Sequence, residues 1–172
     1  MLDDSIKVMQ LHLTQSELHN NPLITINIMY TLMTREYWDG DLMSPRYDEY
    51  SSADALAQVL KRFDFDGGCW ETVEVRDRNR VIYCWKKEKY DTFKEGIDAL
   101  KYQLNVLSQA LVSYAHVTLT DEEKREMINT TIAALNCGSD EAMSTAYGIK
   151  MRVIVTGDED LIEKIEYLWK VI

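Results

Sequence analysis

"WETVEVRDRNRVIYCWKK", residues 70–87, decides how the chain is read. Two runs rich in β-branched and aromatic residues flank the polar "RDRNR", which is the pattern of two strands around a tight turn. Val73 and Val75 share a face with Val81, Tyr83 and Trp85 only if paired positions sum to an even number. The loop must then hold an odd number of residues, most simply Arg78, Asn79 and Arg80. Glu71 and Lys87 would face each other across the strands.

Such a hairpin has two uses: the nucleic-acid-reading wing of a winged helix, or an ordinary element of a small sheet. Residues 76–94 hold seven basic and three acidic side chains, a patch suited to phosphate. A winged-helix order would need a helix over residues 22–38, a short one opened by Ser44 and Pro45, a third over 53–63, and then the hairpin. Against it, the third helix would offer only Lys61 and Arg62 as cations beside Asp54. Residues 1–60 carry three basic and nine acidic side chains, and residues 111–172 carry six and eleven. The expectation is therefore a structural hairpin, with Arg78 and Arg80 solvated at its tip.

Upstream, Ile24, Ile26, Ile28, Tyr30 and Leu32 alternate with polar or softer residues, which predicts a strand over residues 22–33. The competing reading is a helix with Asn21 as cap and Pro22 at its first position. Thr14 with Glu17 suggests a capping box. Residues 38–52 read as a turn-rich loop, and Ser52 caps a helix that places Ala55, Leu56, Val59, Leu60 and Phe63 on one side.

Downstream, Phe93, Ile97, Leu100, Leu104, Leu107, Leu111 and Tyr114 recur at heptad spacing. Lys94, Gly96, Lys101 and Gln103 beside the seam offer no complementary charge pattern, so an internal partner is favoured, with a homodimer through 93–114 as the other use. Thr120 with Glu123 opens a further helix ending near Asn136, and the short "VTLT" link predicts that the two pack antiparallel. A short helix over 139–148 is then predicted to give way to a strand, because Ile149, Met151, Val153 and Val155 alternate. Thr156 would cap a last helix with Leu161, Ile165, Leu168 and Ile172 on its apolar face. Strands and helices are segregated, so the class is α+β: a small mixed or antiparallel sheet with a helical C-terminal half.

The 172 residues suit one compact domain, and no linker or repeat divides them. The formal charge of −10 argues against nucleic acid or anionic membrane as partner and favours a protein with a basic surface. The N-terminus lacks the basic and apolar blocks of a signal peptide, and no segment reaches the roughly 20 apolar residues of a span, so a cytoplasmic protein is expected. Cys69, Cys84 and Cys137 form an odd set without CxxC spacing. The pairs Asp39–Asp41 and Asp64–Asp66 lack the third acid and closing glutamate of a calcium loop. His12, His19 and His116 are dispersed. Neither a metal nor a cofactor is expected, and no nucleophile or phosphate-loop motif points to an enzyme.

Tyrosine and tryptophan recur among acids, as in "REYWDGD" and "RYDEY". Aromatic side chains anchor interfaces, and carboxylates spread over a surface can imitate phosphates toward a basic groove. The candidate partner-binding residues are Tyr37, Trp38, Asp39 and Asp41, with Tyr47, Asp48, Glu49 and Tyr50. The expected function is an acidic inhibitor that blocks a basic site of a nucleic-acid-processing enzyme, similar in type to toxin-immunity proteins and phage-encoded inhibitors of host defence. The alternative is a winged-helix regulator.

Overall fold

A computed structural model describes residues 29–172. The N-terminal half forms one antiparallel sheet from β1 (Tyr30–Trp38), β2 (Asp41–Leu42), β3 (Arg46–Tyr50), β4 (Cys69–Asp77) and β5 (Arg80–Lys86), interrupted by α1 (Ala53–Lys61). A single 3-10 turn, Lys87–Lys89, leads into α2 (Phe93–Tyr114), α3 (Asp121–Cys137), α4 (Asp140–Thr156) and α5 (Glu159–Val171). The class is α+β, as expected. β1 is central: β4 pairs with it on one side, followed by β5, while β2 and β3 pair with successive parts of its other side.

β1 keeps the predicted alternation, with Tyr30, Leu32 and Thr34 buried and the intervening residues half-buried. It runs on to Trp38, so helix is excluded there, and Arg46–Tyr50 is a strand where the winged-helix order needs a helix. The readings for Thr14, Pro22 and residues 22–28 fall outside the described residues.

The hairpin parity holds where it matters for the core: Val73 pairs with Trp85 and Val75 with Tyr83. The odd residue is spent differently. Asp77 pairs with Arg80 across a two-residue turn, with Arg78 in the left-handed region at φ 55°, and a bulge absorbs Ile82. That bulge turns Val81 out, at 47% exposure, and buries Ile82 beside Tyr83. Lys87 enters the 3-10 turn, so the ladder ends at Thr72 and Lys86 without a Glu71–Lys87 pair.

Thr92 caps α2, accepting from the Glu95 amide at 3.1 Å. Ile97, Leu100, Leu104, Leu107 and Leu111 are buried in a core shared with the sheet, α1 and α4. Phe93, the first seam position, is exposed. From Ile97 to Leu111 the seam thus faces the chain's own core.

Its helical neighbours are α1 and α4, not α3, which packs on α4 and α5. The antiparallel helix pair is α3 with α4, joined by Gly138 at φ 69° and the cap Ser139. α4 is one continuous helix where a short helix and a strand were expected. Its second half buries Ile149, Met151, Val153, Ile154, Val155 and Thr156, nearly all round. A helix enclosed by neighbours loses its polar stripe, so period two and period 3.6 cannot be told apart. Thr156 ends α4, its Oγ1 donating to the Val153 carbonyl at 2.6 Å. Asp158, and not Thr156 as expected, caps α5, accepting from the Leu161 amide at 3.1 Å.

Candidate partner-binding edge

The eight residues singled out in the sequence lie on one edge of the sheet, because β2 and β3 both pair with β1. Asp39 and Gly40, at φ 51° and 85°, make the two-residue turn between β1 and β2. Both values are positive, as a turn matching the strand twist requires, and Asp-Gly is a favoured pair for it. Trp38 pairs with Asp41 and Tyr37 with Leu42. The Met43 amide donates to the Glu36 carbonyl at 2.9 Å, and Arg35 Nε to the Met43 carbonyl at 3.0 Å. These bonds hold the returning chain against β1, and it continues as β3.

Trp38 stands 71% exposed at the turn, and Tyr47 is 56% exposed on β3. Register sorts the second cluster between two faces. Tyr47 and Glu49 lie opposite Met33 and Thr31, whereas Asp48 and Tyr50 lie opposite the buried Leu32 and Tyr30. Tyr50 is half-buried against the core, and burial, with the Asp48 charge, raises its pKa. Asp48 meets Arg46 at 2.9 Å. The outward set is therefore Tyr37, Trp38, Asp39, Asp41, Tyr47 and Glu49.

A shallow apolar cavity of about 310 Å3 adjoins this edge, lined by Tyr37, Cys69, Trp70, Lys87 and Phe93. Trp70 makes a firm wall: its Nε1 donates to the Asp64 carbonyl at 3.0 Å, and its ring lies 5.1 Å from that of Phe63. Between Tyr37 and Tyr50 the chain carries four acids and one arginine. The far edge is of the opposite sign, with Arg80, Lys86, Lys87 and Lys89 against Glu88.

A second cluster, invisible in the sequence, joins the sheet to the helices. The Asp77 carboxylate is almost fully buried, with His116 Nε2 at 3.1 Å, Arg78 Nε at 3.2 Å and Arg80 Nη2 at 3.6 Å. Burial pushes its pKa up, but hydrogen bonding and charge from His116, with the Arg78 charge, outweigh this and hold it below the ordinary carboxyl value. Arg80 also donates to the Ile154 carbonyl at 2.9 Å, and the His116 amide to the Val155 carbonyl at 3.1 Å. Arg78 and Arg80 are thus tied by Asp77 to the junction of sheet and helices, while each keeps about a third of its side chain in solvent. Tyr30 OH is buried here without a hydrogen-bond partner among the described residues, and burial raises its pKa.

Among the described residues no three His, Cys, Asp or Glu side chains gather in metal-binding geometry, and no helix is long and apolar enough to cross a membrane. No family model, curated protein or solved structure matches the chain.

Proposed function

We propose that this protein acts by binding another protein through the β2–β3 edge, with Trp38 and Tyr47 as anchors and Asp39, Asp41 and Glu49 meeting a basic surface. The most concrete partner is a nucleic-acid-processing enzyme, whose basic site the acidic edge covers as an inhibitor. The single observation behind this reading is the exposure of Trp38 at a two-residue turn, next to Asp39 and paired with Asp41. Burial of an exposed tryptophan ring supplies much of the energy of an interface. The neighbouring cavity adds an apolar pocket beside the anchors. Cys69, Cys84 and Cys137 are free thiols, which accords with a cytoplasmic setting.

Photo-crosslinking in cells that make the protein tests this. A benzophenone side chain in place of Tyr47 should capture a protein with a basic surface. The same group in place of Tyr167, equally exposed on α5, serves as the control. Equal capture from both positions, or none from position 47, would remove the edge from consideration.

A further inference from the structure

We propose that the cleft between α2 and α4 is a binding site for a small organic carboxylate, with Arg152 as its cationic partner. The inference is independent of the partner-binding edge, which lies on the sheet.

Two ring contacts bridge the helices that bound the cleft. At one end the rings of Tyr102 and Tyr147 meet at 5.8 Å; at the other the Arg152 guanidinium lies over the Tyr114 ring at 5.7 Å. On α4 the small residues Ser144 and Gly148, one turn apart, line the cleft together with Arg152. The result is a cavity of about 410 Å3, within the range of small-molecule sites. A Cβ built at position 148 would meet only Arg152 Nη2, at 3.5 Å. Glycine inside a helix costs about 1 kcal/mol relative to alanine, and here nothing crowds the position to require it. What the glycine does is keep the floor of the cleft open beneath the guanidinium.

Arg152 is half-buried, yet among the described residues it forms no ion pair and donates no side-chain hydrogen bond. Five donors are thereby available to a planar anion. Gln109 and Ser113 supply neutral hydrogen-bonding groups on the α2 wall, and Val106 and Ala110 an apolar surface. No acid lines this cavity. Glu123 and Glu126 line an adjoining cleft of about 320 Å3 on the other side of Tyr114 and Arg152. One cation with two acids nearby suits a monoanion and disfavours a doubly charged phosphate. The ligand class is therefore a carboxylate carried on a compact apolar body.

The test uses benzoate as probe, with benzamide as its uncharged isostere and phenyl phosphate as the dianion, each titrated into the full-length protein by two-dimensional NMR. Benzoate should shift α2 and α4 amides around the cleft with a Kd on the order of 1 mM, the affinity such a small ligand can reach. Benzamide and phenyl phosphate should each bind about tenfold more weakly or not at all. Arg152→Gln should weaken benzoate about tenfold, with Arg152→Lys intermediate. Gly148→Met, which fills the floor without touching the charge, should abolish binding while the spectrum stays folded. Benzoate and benzamide binding alike, unchanged benzoate affinity in a folded Arg152→Gln or Gly148→Met protein, or no benzoate shift near 20 mM would each overturn the assignment.

Discussion

Replacing Asp77 by Ala tests the clamp between the sheet and the helices. Three basic groups lie 3.1 to 3.6 Å from a carboxylate whose side chain is 3% exposed. At an effective dielectric of about 20, each of the two arginine contacts is worth roughly 5 kcal/mol of gross attraction. Burying the carboxylate consumes much of that, and the arginines, about a third exposed, are screened on their solvent side. Truncation leaves their charges facing a buried gap, so the net cost is about 3 kcal/mol, or roughly 6–12 °C in Tm for a chain of this size. Urea unfolding followed by near-ultraviolet signal and calorimetry would measure it. The pH dependence has a definite sign. The Asp77 carboxyl titrates lower in the folded chain than its ordinary 3.8, so its contribution is present above that value and is lost as pH falls toward the folded one. The gap between wild type and Asp77→Ala should be full at pH 7 and shrink below about pH 4. A variant as stable as wild type at pH 7, or a gap unchanged down to pH 3, would refute the reasoning.

Leu104→Ala should cost about 3 kcal/mol in denaturant unfolding without altering the oligomeric state by light scattering, since Leu104 is fully buried in the chain's own core. With a thiol-reactive chromophore at pH 8, Cys137 should label before Cys84. The Ser139 hydrogen bonds lower the first thiol's pKa, whereas burial raises the second. In an alkaline spectrophotometric titration, Tyr30, Tyr83 and Tyr147, all raised by burial, should ionise only as the protein unfolds.

How far the sequence could be read depended on whether a pattern repeats. α2 was legible because its seam sustains heptad spacing over three heptads, and the hairpin because paired valines and aromatics restrict register. Parity required one odd residue, but whether it entered the loop or a bulge is decided by tertiary packing, which favoured burying Ile82. β2 and β3 are short edge strands with little alternation, so they read as loop, although Asp39–Gly40 was a hairpin signal. The tail of α4 misled because burial on every side removes the stripe that marks a helix. At the candidate edge, sequence identified the acids and aromatics but not that β1 collects both groups or that Tyr50 turns inward. Asp77 and His116 are brought together by topology alone, and no local spacing could have paired them.

The central claim is that the acidic, aromatic edge is a binding surface, and the most direct measurement is the kinetics of wild type and edge variants on the partner captured at position 47. Association should slow as salt rises past about 0.1 M, where the Debye length is near 10 Å. Neutralising Asp39 and Asp41 to Asn should lower the on-rate several-fold. Trp38→Ala should instead speed dissociation, about tenfold or more, as loss of an interface anchor does. Association independent of salt, together with an unchanged off-rate for Trp38→Ala, would contradict the account.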